Sequence, residues 1–320
     1  MNEFDKQVLH ELVEKGYIKN STIAKGLGVS ERTVKRSINK MRDKGLIKIV
    51  AIPNPLLLGY EAWAKIGIKT EPGLLSEIAH KLISHPSVYF VAYAIGKFDI
   101  IIAVHFYKTE ELIRFVNLEL LEVNGILATE TMILSVPRKY YDFHWSIPQY
   151  MLDNKLSHGT ENQRFKIDEN DKKILDILME DGLAPPSTIR STLGLSEATI
   201  RKHMKNMLAN GVYKIRVVPN LDILEYSAWA TIGITTDYHF EKQSLEHIIQ
   251  MQPVYLVSAS LGRYNLIVAV NFNNHDVLNT FVKTKLQTIT GINTIDIFLH
   301  NKPLKYHNVT WADGLITQDK

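Results

Sequence analysis

LGVSERTVKRSINKMRDKGLIKI, running from Leu27 to Ile49, returns as LGLSEATIRKHMKNMLANGVYKI from Leu193 to Ile215. The offset is 193 − 27 = 166 residues, and it holds far beyond these two stretches. It pairs Gly28 with Gly194, Pro53-Asn54 with Pro219-Asn220, Trp63 with Trp229, Gly96 with Gly262 and Trp145 with Trp311, with no gap needed. From Asp5 to Thr70, 29 of 66 positions are identical to the residue 166 places later. A 320-residue chain with 45% hydrophobic residues has room for several cores. It reads as two copies of one unit.

Each copy opens with a helical stripe. Phe4, Val8, Leu9 and Leu12 share one face of FDKQVLHELVEKG, which is expected to stop at Gly16. A second short helix is expected to open at Ser21 in copy one and at Pro186-Ser187 in copy two. LGVS and LGLS follow as a tight turn, in which glycine takes a left-handed conformation at little cost and serine caps the next helix.

The third helix carries the chemistry. In copy one Val34, Ile38 and Met41 form the inward face, and Arg32, Thr33, Lys35, Arg36, Asn39 and Lys40 are the candidate DNA contacts. In copy two Ile200, Met204 and Met207 point inward, and Thr199, Arg201, Lys202, Lys205 and Asn206 are the candidates. Seven basic and two acidic residues lie between Ser30 and Lys48; five and one lie between Ser196 and Arg216. Taken alone, a basic amphipathic helix is a solvated surface. Turn, capping serine and basic face repeated in register form the helix-turn-helix pattern and a footprint for phosphate. Copy two is the weaker reader, because Arg32 becomes Ala198 and its first helix is acidic.

The rest of each copy alternates strands and helices. AWAKIGIKT alternates as a strand, GLLSEIAHKLISH has helical spacing, and SVYFVAYAIG with FDIIIAVHF forms a hairpin around Gly96–Asp99. A helix, TEELIRFVNLELLEV, and a closing strand, NGILATETMILSV, complete βαββαβ, the ferredoxin-like order. The fold class is α+β: a winged-type helix-turn-helix domain followed by a ferredoxin-like domain, twice. The expected boundaries are 1–52, 60–140, a polar linker over 141–166, 167–218 and 226–308.

This arrangement resembles the leucine-responsive/asparagine-activator (Lrp/AsnC) family of transcription regulators. LGVSERTVKRSINKMRDKGLI, PNPLLLGYEAWAKIGI and IGKFDIIIAV carry the resemblance. It implies double-stranded DNA as partner and a small effector, of the amino-acid class, near the hairpin of the second domain. Gly96 and Asp99 match that loop in copy one, and Gly262 and Asn265 in copy two; all four are also ordinary turn residues. Family members are usually one unit that dimerises. Here one chain supplies both halves, as an intramolecular pseudo-dimer or through exchange of halves in a homo-oligomer.

Composition narrows the rest. There is no cysteine, which excludes disulfides and zinc–thiolate sites. The charged N-terminal stretch lacks a signal-peptide run, and no apolar stretch reaches membrane-spanning length, so a cytoplasmic, membrane-free protein is expected. The twelve histidines show no ligand spacing: His80 and His85 are five apart, while His105, His144, His247 and His275 stand alone. No nucleophile elbow, phosphate loop or HExxH appears, so no catalytic residue, metal or cofactor is expected. Two rivals remain. Sirohaem decarboxylases resemble this family and some are fusions of two such units; a sensing or oligomerisation module without DNA binding is the other.

Overall fold

The computed structural model describes residues 1–15, 19–54, 57–135, 139–140, 166–220, 228–301, 303–306 and 309–310. Gly16 and, apart from Lys166, the expected linker over 141–166 lie outside them. Copy one runs α1 (Glu3–Lys15), α2 (Asn20–Leu27), α3 (Glu31–Asp43), β1 (Ile47–Pro53), β2 (Ala62–Thr70), α4 (Leu75–Ser84), β3 (Val88–Ile95), β4 (Ile100–Phe106), α5 (Thr109–Arg114), β5 (Ile126–Leu134) and β6 (Lys139–Tyr140). Copy two repeats the order as α6 (Glu169–Glu180), α7 (Pro186–Leu193), α8 (Glu197–Ala209), β7 (Tyr213–Pro219), β8 (Ala228–Thr236), α9 (Glu241–Ile249), β9 (Val254–Leu261), β10 (Leu266–Phe272), α10 (His275–Phe281), β11 (Ile292–His300), β12 (Lys305–Tyr306) and β13 (Val309–Thr310). These elements gather into two compact units, each mixing both copies.

The first unit joins 1–59 to 157–224. The strand after each third helix finds its partner in the other copy: β1 and β7 pair antiparallel over seven residues, Val50 opposite Arg216. Backbone hydrogen bonds close both ends symmetrically, Asn54 N–H to Val212 O and Asn220 N–H to Leu46 O, each 2.8 Å. The cores interlock as well. Val8, Leu12, Ile23, Val34, Ile38 and Met41 bury Val217 of copy two, while Ile174, Leu178, Ile189, Ile200 and Met207 bury Ala51 of copy one. Met204, expected inward, is only half-buried.

The second unit joins 60–156 to 225–320. Its copies form sheets of order β5-β2-β4-β3 and β11-β8-β10-β9, the ferredoxin-like arrangement. One face of each sheet carries α4 and α5, or α9 and α10. Ala64, Ile66 and Ile68 of β2 pack there with Ile78, Leu82 and Phe115, and β8 repeats the arrangement with Ala230, Ile232 and Ile234. Two short seams join the sheets: Ile133 and Leu134 pair with Leu261 and Ser260, and Leu299 and His300 pair with Ile95 and Ala94. Tails are exchanged too, since β6 adds to β9 and β12 adds to β3. Lys305 in β12 donates from Nζ to Ile83 O at 2.8 Å and His85 O at 3.1 Å, satisfying carbonyls at the end of α4 in the other copy. AWAKIGIKT forms the expected strand, and both of its faces are buried, Trp63 and Lys65 on one and Ala64 and Ile66 on the other.

Candidate nucleic-acid interface and hairpin

The tight turn before each third helix takes the expected conformation. Gly28 and Gly194 have φ of 66° and 71°, a region that side chains with a Cβ occupy at a cost. Ser30 then caps α3, its Oγ accepting from Thr33 N–H at 3.2 Å; Ser196 caps α8 in the same way at 3.1 Å. Such a cap stabilises a helix by about 1 kcal/mol. Ser21 does not cap α2: it lies inside the helix, which begins at Asn20 without a side-chain cap. Pro186 occupies the first turn of α7 as expected.

The outer face of α3 is cationic, presenting Arg32, Lys35, Arg36, Asn39, Lys40, Asp43 and Lys44. Arg32, Thr33, Lys35, Arg36 and Asn39 are exposed. Thr33 shares its hydroxyl with Ser30 Oγ at 2.8 Å, so part of its work is structural. Lys40 is half-committed to the protein. Its Nζ donates to Oδ2 of the buried Asp5 at 2.7 Å, and Ser37 Oγ donates to the other oxygen at 2.6 Å. Burial pushes the Asp5 carboxyl up, but Lys40, Ser37 and the Asn2 N–H outweigh it and hold the group below its ordinary value.

The equivalent face of α8 exposes Arg201, Lys202, Lys205 and Asn206, with Thr199 half-buried at the cap. Arg201 meets Glu197 at 3.5 Å, and Asn206 Oδ1 accepts from Asn210 at 3.0 Å. In place of Ser37, His203 offers Nδ1 to Asp171 Oδ1 at 2.7 Å. Asp168, Asp171 and His203 thereby converge, a grouping that linear spacing hides because 32 residues separate Asp171 from His203. These atoms already have uses: Asp168 Oδ1 caps α6 by accepting from Asp171 N–H at 2.8 Å.

In the second unit, Gly96 and Gly262 sit at the hairpin tips with φ of 108° and 123°. Asp99 folds back onto its own sheet. Oδ2 accepts from Thr70 N–H at 2.8 Å and Oδ1 from Lys69 Nζ at 2.7 Å. Burial opposes the charge, and these donors prevail, keeping its carboxyl below the usual range. Asn265 makes the same clasp to Thr236 N–H at 2.8 Å. Phe98 and Tyr264 tuck beneath the hairpins against Gly67 and Gly233, and both rings approach Phe298 at 5.0 and 5.9 Å.

Comparison with known proteins agrees with both parts. The winged helix-turn-helix DNA-binding family matches residues 1–48 and 167–212, and the Lrp/AsnC ligand binding domain matches 64–141. An uncharacterized HTH-type transcriptional regulator of Pyrococcus furiosus is 38% identical over 141 residues, 44% of this chain and 95% of the relative. The HTH-type transcriptional regulator FL11 of the same organism is 32% identical over 135 residues, 42% of this chain and 89% of the relative. The chain belongs to the Lrp/AsnC family.

Each of these Lrp/AsnC relatives therefore corresponds to one copy. Over its whole length the fold is similar to the siroheme decarboxylase NirDL, with a TM-score of 0.62 at 17% identity, covering 95% of this chain and 93% of that one. The chain is accordingly a transcription regulator with DNA-binding and ligand-binding domains. No helix among the described residues is long and apolar enough to cross a membrane.

Sequence reasoning missed the interior of the second unit. Lys65 is 3% exposed and its Nζ donates to Thr231 Oγ1 at 2.8 Å; burial pulls the amine down to about 7. His300, which no spacing singled out among the twelve histidines, is 4% exposed. Burial first, and then the Lys65 charge, lower it to about 3, and its Nε2 has no hydrogen-bond partner among the described residues. The available signal was Lys65 itself, on the same strand face as Trp63 and Gly67.

Proposed function

We propose that this chain is a sequence-specific transcription regulator whose two readers engage one duplex as an intramolecular pair, under the control of an amino-acid-class effector. The observation that carries the reading is the exposed basic face of α3 and of α8 in a unit stitched together by β1 and β7. Two readers in one body bind successive major grooves about 34 Å apart and add their phosphate contacts. Covalent linkage turns the second engagement into an intramolecular step. Selection of bound fragments from random or genomic DNA is the test. A two-part motif is expected, and recovery of single half-sites alone would overturn the paired reading.

For the effector, the hairpin residues Gly96, Asp99, Gly262 and Asn265 are the proposed contacts. An ammonium group would have to share Asp99 with Lys69. Thermal-shift screening of the amino acids against the wild type and Asp99→Asn tests this, and an identical response removes Asp99 from the site.

A second reading, a decarboxylase acting on a haem-type tetrapyrrole, is favoured by the whole-chain likeness to NirDL, which concerns the fold alone. Incubation with sirohaem, followed by absorbance spectra and product analysis, separates the two: turnover would replace the regulatory reading.

A further inference from the structure

Lys65 and Thr231 occupy the same place in the two copies, 231 − 65 = 166 residues apart, and they touch. Equivalent positions meet only near the pseudo-twofold axis that relates the copies, so whatever stands there on one sheet faces its counterpart on the other. The surroundings are dry. Lys65 is 3% exposed and Thr231 fully buried. The ammonium faces Thr231 Oγ1 on β8, the Phe90 ring of β3 at 5.2 Å, and His300 of β11, whose imidazole feels its charge. Among the described residues no carboxylate pairs with it. His300 is matched in copy one by Leu134, so the imidazole too is peculiar to copy two.

The three pairings of such sheets are not equivalent. Copy two against copy two would set Thr231 against Thr231, two neutral hydroxyls. Copy one against copy one would set Lys65 against Lys65, two cationic side chains in a dry seam, where the carboxylate of that face, Glu130 opposite Gly67, is already paired with Lys97. Like charges brought together there repel without screening, and each also loses its hydration. In the unlike pairing the lysine faces a neutral hydroxyl instead, and Thr231 Oγ1 accepts from it.

We infer that Lys65 is a pairing-specificity residue, which excludes like-with-like association of copy one and directs that sheet to the copy-two sheet. The inference rests on the proposed pairing of the two copies and deepens it. With this exclusion, copy-one sheets of separate chains cannot join head to head, so the chain closes on a copy-two partner.

The test uses the 320-residue chain and four variants. Thr231→Lys recreates two lysines across the axis, Thr231→Met supplies the length without the charge, and Lys65→Thr with Thr231→Lys exchanges the two residues. Lys65→Met completes the set. Thr231→Lys should lower the thermal midpoint by on the order of 10 °C at pH 6, where the lysines are charged, clearly more than Thr231→Met. The exchanged double variant should recover most of that loss, since a lysine again faces a threonine. If Thr231→Lys does not fold at all, recovery of folding in the double variant supports the inference equally. Equal midpoints for Thr231→Lys and Thr231→Met would overturn it, as would a double variant no better than Thr231→Lys.

A second measurement separates this from the pairing itself. The chain lacks cysteine, and Ile133 and Leu261 are directly opposed on β5 and β9, so Ile133→Cys with Leu261→Cys brings two thiols within disulfide reach. A cross-link inside single chains supports the paired reading. Covalently linked chain pairs would overturn the single-chain form and leave the Lys65 inference standing. With no cross-link, both fall.

Discussion

Lys40 of α3 is bonded to Asp5 of the neighbouring α1: its Nζ lies 2.7 Å from a carboxylate oxygen of this almost wholly buried residue. The same lysine that sequence places among the DNA contacts thus also fastens the helix to its domain. Its two roles make different demands.

Arg36→Ala should weaken DNA binding across all sequences and flatten the dependence of log K on log salt by about one unit of slope, as loss of one phosphate contact requires. Lys40→Ala should act chiefly on stability, costing about 1–3 kcal/mol because Asp5 loses its charged donor. Fluorescence anisotropy over a salt series, with chemical denaturation of each variant, separates the effects. An unchanged slope for Arg36→Ala would count against α3 as the reader.

The clasp from the hairpin to the first strand is common to both copies, with Asp99 on Thr70 N–H and Asn265 on Thr236 N–H. Asp99→Asn should therefore keep the fold, shifting stability by no more than about 1 kcal/mol through the exposed Lys69 pair. Asp99→Ala should cost about 1–3 kcal/mol, because the Thr70 N–H loses its acceptor. Urea denaturation of both variants checks the contrast.

Gly67 lies flat against the Phe98 ring, and a Cβ there would fall 2.4 Å from its carbons. Gly67→Ala should destabilise the second unit by about 1–3 kcal/mol. Phe98→Leu made in the same chain should return part of that loss. A double-mutant cycle with no coupling would show that the ring moves aside freely.

Lys65 predicts a pH dependence. Its amine sits at about 7 when folded and at 10.5 when unfolded, so between these values the unfolded chain binds the extra proton. Stability should therefore rise with pH across that window, by about 1.4 kcal/mol per pH unit from this group. Below pH 7 both states are protonated and the burial cost is present in full. Lys65→Met should remove this part of the slope, measured as urea midpoints from pH 7 to pH 10.

The legible parts of the structure were those written in local periodicity. The stripe Val8, Leu9, Leu12, the glycine–serine turns, the basic helices and the βαββαβ order all follow from spacing and turn chemistry. Partner choice did not. Nothing in IKIVAIP says that its strand bonds to YKIRVVP of the other copy, because backbone donors and acceptors are alike in every strand. Lys65 was obscure for a related reason: alternation assigns a residue to one side of a strand, and whether that side is wet depends on what is laid over it. Asp5, Asp171 and His203 were invisible because their meetings bridge more than 30 residues.

The reciprocal tails and the shared β1–β7 ribbon carry a consequence for descent. A duplicated gene begins with two equivalent units, either of which could later be trimmed away and replaced by a second copy of the other. Here Val217 completes one helical core and Ala51 the other, while Lys305 finishes a helix it does not belong to. Cutting out either half would strip the survivor of its neighbour's strand and leave a raw edge. The fusion has made the copy-one half dependent on its neighbour, while the copy-two half, with Thr231 at the axis, meets no like-charge bar to pairing with its own kind.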